Sequence, residues 1–286
     1  MNARNEMLGI IDGMPAENYF AAEGVNNSLL KDMAKSPAHC FALHLAPDRP
    51  QRKATPAMMA GTLAHTAILE PDTLATRYVV KPSGIDGRTK EGKEWAACHA
   101  GFEIITEDQF ATCKAQREAV MAHPQIAPLF ASGVAEQSAF WRDESTGLIC
   151  KARCDWRHTL SDGRLLLVDL KTTTDASPGA FTRTVWNFGY HRQAAHYTSG
   201  FEAASGLEVA GFVFAVVTSD YPYIVAAHML DEDYQRLGAD ECRTLLDDFA
   251  ECRRKNSWPG FSGMNMLQPP AWARKSEDEI EVAYVV

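Results

Sequence analysis

Arg164-Leu165-Leu166-Leu167-Val168-Asp169-Leu170-Lys171, together with the earlier run Leu148-Ile149-Cys150-Lys151-Ala152-Arg153-Cys154-Asp155-Trp156, decides the fold. Side chains two apart in a strand share one face of a sheet. In the later run Leu166, Val168 and Leu170 fall on one face, and Leu165, Leu167, Asp169 and Lys171 on the other. In the earlier run the alternation sets Lys151, Arg153 and Asp155 against Leu148, Cys150, Ala152, Cys154 and Trp156. Ser161-Asp162-Gly163 between them is turn chemistry, as is Asp143-Glu144-Ser145-Thr146-Gly147 in front. With Val134–Arg142 they read as a three-stranded meander.

Working outward, the front of the chain reads as helical. Asn27-Ser28 can cap a helix through Lys35, and Ser36-Pro37 the next, with proline at a first-turn position. Met58–Leu69 and Glu107–His123 also read as helices, the second entered at Thr106 with acids in its first turn. Beyond the meander come a helix from Ala176 or Phe181 to Gly200, strands at Ala210–Thr218 and Tyr223–Met229, and a helix from Glu232 to Arg254. This order predicts a mixed α/β (α+β) domain. Pro47–Pro56, Lys81–Gly92 and Trp258–Pro270 read as loops. The expected division is an N-terminal segment, 1–25, one domain, 26–275, and a C-terminal tail, 276–286.

Composition excludes several classes. The 286 residues are 46% hydrophobic and 23% charged, values of a globular chain able to bury a core. No run approaches the roughly 20 apolar residues of a membrane span, and the first residues lack a secretion signal, so a cytoplasmic protein is expected. Seven scattered cysteines argue against a disulfide framework, and the absence of any C-x2-C pair argues against zinc or iron–sulfur ligation. The net charge of −9 is concentrated in residues 201–286, which hold 7 Lys+Arg against 15 Asp+Glu. The first 200 residues are nearly neutral, so net charge does not exclude a nucleic-acid partner.

Asp155 and Asp169 end neighbouring strands and can reach one cation. Two carboxylates with a lysine suit metal-dependent phosphodiester hydrolysis: hard oxygen ligands hold Mg²⁺, and an ammonium orients or helps deprotonate water. The bland alternative is a solvated Asp169–Lys171 ion pair. Gln193 and Tyr197, spaced i, i+4, share a helix face. His65 follows Gly61-Thr62-Leu63-Ala64, small residues that permit close approach; a lone helical histidine is more often packing. Glu136, in Ala135-Glu136-Gln137-Ser138, either faces the site or caps the sheet edge. Arg142, Arg153 and Arg157 could contact phosphates and Trp141, Trp156 and Trp186 could stack on bases, or each could serve packing or ion pairs.

The series Gly61-x3-His65, Glu136, Asp155, Asp169-x-Lys171 and Gln193-x3-Tyr197 resembles the PD-(D/E)xK nucleases of the lambda exonuclease and RecB type, within them the RecE-like exodeoxyribonuclease VIII group of phages and prophages. Ser28-Leu29-Leu30-Lys31, Lys151-Ala152-Arg153-Cys154-Asp155-Trp156 and Pro269-Pro270-Ala271-Trp272 support it over residues 25–275. The resemblance implies a nuclease core of a mixed sheet flanked by helices, and 5′-to-3′ digestion of one strand of linear duplex DNA with Mg²⁺, for which Mn²⁺ substitutes. It makes His65, Asp155, Asp169 and the Leu170 carbonyl metal ligands, sets Lys171 beside the attacking water, and lets Gln193 and Tyr197 support the site. It further implies duplex DNA ends as substrate, a single-strand annealing protein as partner, and a ring-like homo-oligomer, trimer or tetramer. Asp169 stands where glutamate is commoner. Two alternatives stay open: a catalytically silent DNA-binding or assembly protein on the same fold, and an endonuclease or single-strand nuclease.

Overall fold

The computed structural model describes residues 7–50 and 53–269. Eight strands lie in two sheets: β1 (Gly9–Ile11), β2 (Tyr78–Lys81), β3 (Glu103–Thr106), β4 (Val134–Arg142), β5 (Ile149–Thr159), β6 (Leu165–Thr173), β7 (Val209–Thr218) and β8 (Val225–Met229). The central sheet has the order β1-β4-β5-β6-β7-β8, and β2 and β3 form a separate parallel pair. Every neighbour in the central sheet is antiparallel except β6 and β7. A parallel pair needs a crossover, and two helices between those strands supply it.

Seven helices position the site: α1 (Ala16–Ala21), α2 (Asn27–Met33), α3 (Pro56–Leu69), α4 (Glu107–Ala122), α5 (Pro178–Phe188), α6 (Tyr190–Ser205) and α7 (Glu232–Lys255). Their starts follow capping chemistry. Thr106 opens α4 with a reciprocal capping box to Gln109, and Thr55 and Asp231 accept the first free amides of α3 and α7. Helix α2 is capped one residue earlier than the sequence suggests, by Asn26, whose side chain accepts the Leu29 amide at 2.9 Å. The single helix expected up to Gly200 is two, because Gly189 (φ 69°) turns left-handed, closing α5 and opening α6.

Both faces of the central strands are covered, which explains the almost unbroken apolar run of β6. On one face Leu165, Leu167, Phe214 and Val216 pack against Phe181, Phe201, Leu246 and Phe249 of α5, α6 and α7. On the other, Val168, Leu170, Val213 and Val217 meet Ile68 and Leu69 of α3 and Val120 of α4.

The described part of the N-terminal segment packs on the central sheet. Strand β1 pairs with β4, Gly9 opposite Phe140 and Ile11 opposite Ser138. The chain from there to Val25 lies across the sheet as a strap, and its hold comes from side chains of β4 and β5 described below. The expected tail, 276–286, lies outside the described residues.

Candidate active site

Strands β5 and β6 pair only from Trp156–Val168 to Thr159–Leu165. One residue further on they part, and that step is where Asp155 and Asp169 stand. Beyond it β5 keeps β4 as its neighbour and β6 keeps β7. The gap is bridged by the Leu170 amide donating to Asp155 Oδ2 at 2.8 Å. A parting of strands opens a recess between the two helical layers, and side chains enter it from both.

From the α3 side comes His65, its Nδ1 3.5 Å from Asp155 Oδ2. The Leu170 main chain is also within hydrogen-bonding reach of His65. Glu136 enters from β4, opposite Asp155, with a left-handed backbone (φ 51°) that is costly for a non-glycine residue. One ligand atom from each of His65, Glu136 and Asp155 lies within 4.8 Å of the others, the only such group among the described residues. Glu136 thus lies beside His65 and Asp155. Two oxygen donors and one imidazole suit a divalent cation, and the mixed set favours Mn²⁺ over Mg²⁺ in affinity.

From the α6 side comes Gln193, whose Nε2 donates to Asp169 Oδ1 at 2.6 Å. Lys171 Nζ lies 2.6 Å from Asp169 Oδ2 and donates to Gln193 Oε1 at 3.2 Å. It also sits 4.4 Å from the centroid of Tyr190, a residue the sequence reading missed. Tyr190 follows Gly189 directly, and the left-handed glycine was the signal that could have found it. Asp169 is almost wholly buried and adjoins the cation group through its charge on Asp155. Tyr197 is turned toward Phe212 and the core, its ring 6.2 Å away, and supports the recess by packing.

Titration follows from this crowding. Burial raises the Asp155 carboxyl well above its ordinary range, and the Asp169 and Glu136 charges add to the effect. Burial and the Lys171 charge lower His65, which keeps a neutral imidazole available as a ligand. Burial pulls Lys171 down, but the Asp169, Tyr190 and Asp155 charges outweigh it and raise the ammonium above its ordinary value. At neutral pH Lys171 is therefore a donor, suited to orienting water or a phosphate oxygen. It is not a base.

The arginines expected at phosphates fare differently. Arg153 turns inward: Nε donates to Glu136 Oε2 at 2.5 Å and a terminal nitrogen to the Met14 carbonyl at 2.6 Å. Its side chain is only 14% exposed, held by the Glu136 carboxylate and the Met14 carbonyl. Arg142 donates to the Gly147 carbonyl in the β4–β5 hairpin, and Arg157 to Thr159 at the outer end of β5. Of the tryptophans, Trp141 is buried over Gly200 and Trp156 donates to the Leu129 carbonyl, whereas Trp186 is exposed and stacked on His191. Six of the seven cysteines are buried and all are free thiols.

Residues 26–266 match the family model described as a PDDEXK-like domain of unknown function, DUF3799. The fold is similar to a crystal structure from Eubacterium rectale titled as a "putative exonuclease", with 14% identity, a TM-score of 0.56, and coverage of 95% of this chain and 99% of that one. A structure of SSO0001 overlaps at a TM-score of 0.27 and 14% identity, over 66% of this chain and 86% of that one. No curated protein sequence matches. No helix among the described residues is long and apolar enough to cross a membrane.

Proposed function

Because the chain belongs to the PDDEXK-like family DUF3799, we propose that it is a divalent-metal-dependent exodeoxyribonuclease of the RecE-like kind, digesting one strand of linear duplex DNA from 5′ to 3′. The observation that carries the reading is the meeting of His65, Glu136 and Asp155 one residue from where β5 and β6 part, beside the Asp169–Lys171 pair. Desolvation, with the neighbouring Asp169 and Glu136 charges adding to it, holds Asp155 toward its protonated form, a cost that a bound cation offsets. A divalent ion would be held by His65, Glu136 and Asp155, with Asp169 and the Leu170 carbonyl adjoining; it would acidify water and neutralise phosphate charge.

The chain's own residues divide the remaining work. Lys171 offers its ammonium to the water or to a phosphate oxygen, steadied against Tyr190. Gln193 fixes both ends of the Asp169–Lys171 pair, so neither side chain needs to reorganise during hydrolysis.

Linear duplex labelled at either the 5′ or the 3′ end, incubated with wild type and Asp155→Asn, tests the reading. The expected result is Mg²⁺-dependent release of mononucleotides from the 5′ end by wild type alone. Equal release by both proteins, or DNA binding without any cleavage in Mg²⁺ or Mn²⁺, would overturn it. Release from circular duplex would point instead to endonucleolytic action.

A further inference from the structure

Two cations on one face of β5 hold the N-terminal strap. Lys151 Nζ donates to the carbonyls of Tyr19 at 2.7 Å and Ala22 at 2.6 Å, at the C-terminal end of α1, and lies 4.8 Å from the Tyr19 centroid. Two residues along the same face, the Arg153 guanidinium takes the Met14 carbonyl. Gln137 of β4 adds a short hydrogen bond to Asp12. Residues 9–25 lie before the stretch matched by the family model, and one side chain joins their main chain to Glu136.

That side chain is Arg153. One end of the guanidinium is fixed by Met14 and lies 3.4 Å from Ser138 Oγ, and the other holds Glu136 Oε2. Glu136 needs such a hold. Its left-handed backbone takes it out of the regular pleat, so the strand alone does not set its direction. Bonding one oxygen to Arg153 leaves the other for the recess. A buried ion pair contributes little stability by itself, since desolvation offsets most of the attraction, whereas an oriented ligand carboxylate contributes directly to cation affinity.

We propose that Arg153, anchored by the strap, is a positioning residue that aims Glu136 at the divalent-cation site. The inference rests on the metal-site reading above. It also extends the functional unit to residues 9–25, which supply the fixed end of the lever.

Titration calorimetry with Mn²⁺, without DNA, reads the effect apart from catalysis. Glu136→Gln should weaken Mn²⁺ binding by about tenfold, and Arg153→Gln by a similar factor, the range found when partners of metal ligands are removed. In the double variant the second loss should vanish, because Arg153 acts only through Glu136. Arg153→Lys, which keeps the charge but cannot span Glu136 and Met14 together, should weaken binding too, and again only when Glu136 is present. It carries the test if Arg153→Gln fails to fold. Wild-type affinity in the arginine variants would overturn the proposal, as would losses that multiply in the double variant to about a hundredfold. Asp155→Asn separates the two readings. If it binds Mn²⁺ as wild type does, the metal site itself fails; if it loses binding while the arginine variants keep it, only the positioning role fails.

Discussion

Gly238 lies on α7 where that helix crosses α6, and replacing it with alanine tests how the active recess is held from behind. A Cβ there would fall 2.4 Å from the His191 carbonyl oxygen, 2.8 Å from its carbon and 3.2 Å from Ala195 Cβ, where ordinary contact begins at 3.4 Å. The obstacle is backbone, so no rotamer relieves it, and the helices must separate by about 1 Å. Alanine by itself would favour α7 by about 1 kcal/mol. Overpacking costs about 1–3 kcal/mol, so a net loss of up to about 2 kcal/mol is expected, which lowers Tm by several degrees. The larger effect is on chemistry. His191 stands two residues before Gln193 on α6, and a retreat of that size stretches the 2.6 Å bond from Gln193 to Asp169 past hydrogen-bonding range. Misplacement of about 1 Å can cost about a hundredfold in rate. Nucleotide release from linear duplex at saturating Mg²⁺, measured beside thermal melts, reads both quantities. A variant that melts higher than wild type and cleaves at the same rate would refute the reasoning, since α6 would not be set by this crossing.

Lys171→Met should keep Mn²⁺ affinity within about twofold while losing about a hundredfold or more in cleavage, because the ammonium acts on water and phosphate and not on the cation. Calorimetry paired with the nuclease assay checks this, and loss of Mn²⁺ binding would make Lys171 a structural residue. The Lys151 ammonium, pulled by burial from its ordinary 10.5 to about 8, gives a pH signature. Between those values the unfolded chain binds more protons than the folded one, so this group's contribution to stability rises with pH across the window. Urea unfolding of wild type and Lys151→Met at about pH 8 and about pH 10 isolates that slope. A wild-type stability that changes no differently from the variant's would refute it.

Asp155, Asp169 and Lys171 were legible in the sequence because strand alternation is strict and the intervening turn is short. Gln193 followed from helix spacing, and the capping threonine at 106 from local chemistry. Glu136 could not be placed: its strand position is evident, but its positive φ is imposed by contacts that no local pattern encodes. Arg153 read as a phosphate contact because its anchor, Met14, is 139 residues away in the chain. The strap was invisible for a related reason. A three-residue strand such as β1 carries too little periodicity to register, and its attachment depends on main-chain carbonyls, which have no sequence signature. The same holds for the four-residue strands β2 and β3. Gly189 broke the predicted helix because one left-handed residue outweighs a continuous amphipathic pattern on either side.

The strap also bears on how such a protein can change length. Lys151 and Arg153 hold residues 9–25 through carbonyl oxygens that any sequence would supply, so this segment can vary widely in composition while still accepting their hydrogen bonds. A chain beginning at residue 26 would lack the carbonyls that Lys151 and Arg153 now hold, and would leave both groups to water. Residues 9–25 and the two β5 cations therefore form one mechanical unit, a main-chain belt buckled at two points of a single strand.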